Sequence, residues 1–246
     1  MSHLKNVEAF GKLEGICTGF GDEYKPVQRN LQVENLSSLL TNARYALTNV
    51  SGAKTSFENA INRRAVAFKE ISKLATRIFV ALKSSGALPQ TVDDARMMVR
   101  KIKGRSAATS RAPVPSGEAS QQTQASVQAL MRSRAQGGDY DSVAYHFEKL
   151  LQTVSAEPLY SPFVAELQLQ PLRDKLDSFR SINNAVVVAD TQWGKARRDR
   201  NALLYTASGN MYSTAIAVKQ LVKAAFGYNS EAANAVTHIR MIKPGK

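Results

Sequence analysis

EYKPVQRNLQVENLSSLL (residues 23–40) and PLYSPFVAELQLQPLRDKL (residues 158–176) are two versions of one pattern, 136 positions apart. In that register Tyr24 meets Tyr160, Pro26 meets Pro162, and Leu31, Gln32, Leu36 and Leu40 meet Leu167, Gln168, Leu172 and Leu176. Without a gap the match continues through Arg44/Arg180, Val50/Val186, Ala53/Ala189, Thr55/Thr191, Ala60/Ala196 and Arg64/Arg200. A helical sequence can mimic itself by chance, but a gapless register headed by Tyr-x-Pro reads as a duplication.

Pro171 would break a helix interior yet suits a first turn, so a long helix is expected to start near Pro171 and, by the repeat, near Asn35. Leu31-x-Val33 and Leu167-x-Leu169 then read as extended lead-ins. From Leu36 the apolar residues keep a helical seam through Leu40, Ala43, Leu47, Val50, Phe57, Ile61, Phe68 and Ile71. The second half repeats it with Leu172, Leu176, Phe179, Ile182, Val186, Trp193 and Leu204. One helix of about 35 residues is favoured, about 50 Å at 1.5 Å per residue. A hairpin at Val50–Ala53 is the alternative, since Gly52 would permit the turn, although its counterpart Val188 would not.

Downstream, LKSSGALPQTVDDARMMVRKIKG (82–104) resembles LVKAAFGYNSEAANAVTHIRMIKPG (221–245). In each a helix stops at a glycine, Gly86 or Gly227, and restarts at Thr91 or Ser230 as N-cap. The shorter helices are expected over 71–85 and 211–226, and terminal ones over 92–103 and 231–242. DYDSVAYHFEKLLQTV gives an amphipathic helix capped by Asp141 or Ser142, with 4–16 as its weaker counterpart. The expected fold is all-α: an elongated, coiled-coil-like bundle of two tandem pseudo-repeats, each with a long helix followed by two shorter ones. The expected boundaries are 1–104 and 139–246, packed as one domain because each apolar stripe needs a cover. Between them, 105–138 is a basic Ser/Ala/Pro/Gln segment with almost no large apolar residue and reads as a flexible linker, with a possible helix over 125–135.

The 246 residues carry 33 Lys and Arg against 20 Asp and Glu, a net charge of +13. The excess gathers in 27–104 and 163–246. Such a charge favours anionic partners, namely nucleic acid, acidic protein or a lipid surface; solubility alone is the plainer explanation. The candidates for contacting an anion or nucleic acid are Arg96, Arg100, Lys101, Lys103 and Arg105, at the end of the first repeat, and Lys195, Arg197, Arg198 and Arg200 on the second long helix. On the terminal helix Arg96, Arg100 and Lys103 are expected on one outward stripe. Arg63 and Arg64 roughly match the second cluster. Cations at a helix C-terminus also suit the helix dipole. Aromatic residues do not interleave with the basic ones, so base stacking finds no support.

Other chemistry is sparse. Cys17 is the sole cysteine, so no intrachain disulfide can form, and it has no sequence-local base. GICTGFG, around it, lacks the Gly-Lys-Ser/Thr of a phosphate loop. His3, His146 and His238 have no ligand at metal spacing and read as ordinary surface or boundary histidines. No catalytic residue, metal ligand or cofactor site is assigned, and a non-enzymatic protein is expected. MSHLKNVEAF lacks the order of a signal peptide and no apolar run is long enough to span a bilayer, so a cytoplasmic protein without membrane insertion is expected. NAVVVADTQWGKARRDRNALLY (184–205) and VKQLVKAAFGYNS (218–230) resemble a family of duplicated, all-helical bacterial proteins of no assigned function. That resemblance implies the fold and no activity. The functional expectation is a binding or scaffold protein whose partner is another protein or itself; the alternative is sequence-indifferent nucleic-acid association through the basic helix faces.

Overall fold

The seam of leucines and small residues spaced by three and four does form continuous helices. In a computed structural model, which describes residues 3–104 and 138–243, every regular element is helical and no strand occurs among the described residues. The helices are α1 (His3–Gly19), α2 (Val33–Phe68), α3 (Ile71–Ser84), α4 (Pro89–Ile102), α5 (Gly138–Ser155), α6 (Leu169–Asn201), α7 (Met211–Phe226) and α8 (Glu231–His238). Gly138, the last residue of the expected linker, opens α5; the rest of that linker, the 125–135 helix and Arg105 lie outside the described residues.

Helix α2 runs 36 residues through Gly52 without a turn, and α6 runs 33. Both begin two residues earlier than Asn35 and Pro171, because the capping turn is set upstream. Short 3₁₀ turns, Arg29–Leu31 and Ala165–Leu167, precede them, and of each expected extended lead-in only the middle residue, Gln32 or Gln168, is extended between turn and helix. The Tyr-x-Pro heads explain these turns. The Tyr24 hydroxyl donates to the Leu31 carbonyl at 2.9 Å, and the Tyr160 hydroxyl to the Leu167 carbonyl at 2.8 Å.

The glycine stops are where expected: Gly86 and Gly227 have φ of 84° and 93°, which disfavours any side chain. Ser230 caps α8, its Oγ accepting from the Ala233 amide at 3.0 Å. Thr91 is not a cap. Helix α4 starts earlier, with Leu88 at the N-cap and Pro89 in the first turn, where its missing N–H costs nothing. Helix α8 is shorter than expected, ending at His238, because the following chain leaves the helix to pair with Asn6.

The chain divides into two compact units. The terminal unit joins residues up to Ser56 with those from Asp190 onward; the central unit is Phe57–Ala189. This partition differs from the expected 1–104 and 139–246. The reason is which helix covers which stripe. In the terminal unit, α1 packs on α7 and α8, and Phe10, Leu13, Leu36, Leu40, Met211, Val218 and Val236 share one core. In the central unit, α5 packs on α3 and α4, and Phe147, Leu150, Leu172, Leu176, Ile78, Leu82 and Val99 share another.

Candidate functional site

The seam of α2 carries an arginine where an apolar residue belongs. Arg64 lies three residues after Ile61 and four before Phe68, and it is 1% exposed. It is therefore not the solvated cation suggested by its likeness to the 195–200 cluster. Its guanidinium lies 4.4 Å from the ring centre of Tyr140, a contact that gains strength when desolvated. Burial pulls the Arg64 pKa below its ordinary value, while Tyr140 and Asp141 oppose that pull. Asn183, buried on α6, donates through Nδ2 to Asp141 Oδ1 at 2.6 Å. Arg64, Tyr140, Asp141 and Asn183 thus make a polar cluster in the central unit, buried at Arg64 and Asn183, half-buried at Tyr140 and open to solvent at Asp141. Only the position of Arg64 on the seam signals it in the sequence.

The terminal unit holds a second polar cluster. Asn6, fully buried on α1, donates from Nδ2 to the Ile242 carbonyl at 2.7 Å and accepts from the Ile242 amide at 3.1 Å. One side-chain amide so pairs with a backbone as a neighbouring strand would. Asn6 Nδ2 also donates to the Tyr205 hydroxyl at 2.9 Å, which lies 3.0 Å from His3 Nδ1. A π-helical turn, Ala202–Thr206, aims Tyr205 inward. Burial lowers the His3 pKa, with Arg200 next in effect. His3 is thus part of this cluster rather than an ordinary surface histidine. His146, half-buried, is lowered by burial and then by Lys101. His238 is exposed.

The structure places the basic candidates as follows. On α4, Val92, Ala95, Val99 and Ile102 turn inward, and Arg96, Arg100, Lys101 and Lys103 are exposed. Arg96 is engaged by Asp93 at 2.9 Å and lies 5.8 Å from the Phe79 ring centre. On α6, Lys195, Arg197 and Arg198 are exposed, Arg197 lying 5.1 Å from the half-buried Trp193 ring. Arg200 is half-buried and donates from Nε and Nη2 to Asn201 Oδ1 at 3.1 and 2.7 Å. The two sets belong to different units, α4 to the central and residues 195–200 to the terminal.

Each unit also carries an open cleft. In the central unit a groove of about 480 Å³ runs between α3 and the segment after α5, floored by Ala81, Leu159, Val164 and Leu167. Phe163 stands at its edge, 97% exposed, and the Arg77–Glu166 ion pair, 2.6 Å, closes one side. Val27, 136 positions before Phe163, is 96% exposed in the terminal unit. In the terminal unit a cleft of about 500 Å³ lies between Lys5, Glu8 and Lys12 of α1 and the stretch His238–Arg240. Lys219 donates to the Ile239 carbonyl and Asn6 holds Ile242, so the wall bearing Arg240 is fixed on both sides. Charge alone did not reveal that Lys5, Lys12 and Arg240 converge.

Cys17 is buried in the core of the terminal unit. Burial pushes its thiol up to about 11. Among the described residues no three His, Cys, Asp or Glu side chains gather as a metal site, and no helix is long and apolar enough to cross a membrane. No protein-family model, curated protein or solved structure matches the chain.

Proposed function

We propose that this protein is a non-enzymatic, cytoplasmic helical binding protein built from a duplicated module, akin to the duplicated all-helical bacterial proteins it resembles. Its central unit takes an apolar side chain of an acidic protein partner into the groove beside Phe163. The observation that carries this reading is Phe163 itself. A fully exposed phenylalanine bordering an apolar groove has the composition of an interface anchor rather than of ordinary surface. The net charge of +13 favours an acidic partner and speeds its encounter. A photo-crosslinking residue at position 163, used in cells, tests this. Capture of one acidic protein, lost when Val80, which lines the groove from α3, is changed in Val80→Asp, is expected. No capture, or capture unchanged by Val80→Asp, contradicts it.

A second reading, nucleic-acid association without sequence preference, is favoured by the end of α4. Arg100, Lys101 and Lys103 are exposed there and make no ion pair among the described residues. Retardation of a duplex at about 50 mM salt that weakens steeply by about 200 mM, and that falls in Arg100→Glu/Lys101→Glu, supports this reading. No shift at the lower salt removes it.

A further inference from the structure

The first helix of each half of the chain packs on the last two helices of the other half, and its own half's long helix completes the core. Helix α1 comes from the amino-terminal half, yet its stripe of Val7, Phe10 and Leu13 lies against α7 and α8, from the carboxy-terminal half. Helix α5 opens the carboxy-terminal half, yet Phe147, Leu150 and Val154 lie against α3 and α4, from the amino-terminal half.

Polar contacts also cross between the halves, beside others that stay within one half, such as Ser37–Glu14, Asn183–Asp141 and Arg180–Glu148. Asn6 holds Ile242 and Tyr205, Arg64 stacks on Tyr140, and Arg77 pairs with Glu166 at 2.6 Å. Each joins one half to the other. Apolar surface and buried polar groups both carry a cost when stripped of their cover. A half standing alone would keep only its own long helix against its first helix, expose the rest of that stripe and empty the cup between its last two helices.

We infer that neither half is a folding unit: the stretch ending at Gly104 and the stretch beginning at Gly138 are obligate partners, and a second copy of this chain can supply either one by reciprocal exchange. Each half offers two surfaces, the stripe of its first helix and the cup of its last two. The partner that fits them is the complementary half-chain, whichever copy it comes from. This goes beyond the binding role proposed above and does not depend on it.

The full-length protein carrying a site-specific protease sequence inserted between positions 117 and 122 is cut under native conditions. The cut protein is expected to stay one species near the intact 26.9 kDa with unchanged helical circular dichroism. Its fragments should part only in denaturant, and each alone should lose most of its helix signal. Two separate species that both remain helical would overturn the inference. Cut protein unfolded with an isotope-labelled copy and refolded should give light, mixed and heavy pairs in about 1:2:1 proportion by native mass spectrometry, as random pairing requires. Parental pairs alone would contradict free exchange. Uncut chain refolded at about millimolar concentration, where a second copy competes with the tethered half, should yield a dimer of twice the mass. Monomer alone under that condition would refute the role of the second copy.

Discussion

The guanidinium of Arg64 lies 4.4 Å from the centre of the Tyr140 ring, and the two residues come from opposite halves of the chain. In the terminal unit Arg200, 136 positions after Arg64, acts on His3, 137 positions before Tyr140. In the central unit an arginine near the end of a long helix thus meets the ring at the start of the crossing helix. The contact therefore orients one element on another. Arg64→Met keeps the volume but loses the stacking and leaves Asp141 without its nearby cation. It should cost about 2 kcal/mol. Arg64→Lys should recover little of this, since an ammonium lacks the planar face. The midpoint of urea unfolding followed by circular dichroism measures both; a loss within about 0.5 kcal/mol, as for a surface substitution, would show that the contact carries no weight.

The two tyrosine hinges should behave alike. Tyr24→Phe and Tyr160→Phe each strip a hydrogen bond from a buried carbonyl and should each cost about 1–2 kcal/mol. Their pH dependence has a definite sign. Burial pushes the Tyr160 phenol up to about 12, and burial with the Cys17 neighbour raises Tyr24 as well. The folded state thus holds these protons more tightly than the unfolded chain does. Both contributions are complete below about pH 10; that of Tyr160 is lost as pH rises from about 10 to about 12, and that of Tyr24, raised further, persists to higher pH. Wild-type stability should fall over that window, and Tyr160→Phe should fall less. A flat profile from pH 9 to 12 in the wild type would contradict the burial of both phenols.

Asn6 should be the clasp of the carboxy-terminal stretch. In Asn6→Ala the Ile242 amide and carbonyl lose their partner, and Tyr205 loses a donor. Limited proteolysis after Arg240 should become at least about tenfold faster, equivalent to a loss of about 1.4 kcal/mol in local closure. His3 adds an acid limb. Its pKa is depressed, so its contribution is present above about pH 6.5 and declines as pH falls below that ordinary value. The same cleavage should therefore quicken between pH 7 and 5 in the wild type, and His3→Gln should flatten that rise. Cleavage independent of both pH and Asn6 would show the stretch to be held elsewhere.

Local signals made most of the elements legible in the sequence. The seam spacing, Gly86, Gly227 and Ser230 each act within a turn or two, and each stands where the pattern places it. The lead-in turns were misread because a hydroxyl seven residues upstream closes them, and the spacing from Tyr24 to Leu31 carries no period of its own. Thr91 lost its capping role to Pro89, whose fixed φ begins a helix without one. The pairing of elements was not legible. Periodicity shows that α1 and α5 need covers, but either α3–α4 or α7–α8 could supply them. The chemistry was hidden for the same reason: Lys5, Lys12 and Arg240 meet only once the cover of α1 is known. Arg64 reads as one more basic residue until its place between Ile61 and Phe68 is weighed.

Lysine-directed crosslinking of the native protein, mapped by mass spectrometry, reads that pairing directly. Lys5 and Lys12 of α1 should link to Lys243, and Lys149 of α5 to Lys101 or Lys103, so that both sets join opposite halves. Links from Lys5 or Lys12 to Lys101 or Lys103, with Lys149 joined to Lys219 or Lys223, would mean that each half covers its own first helix.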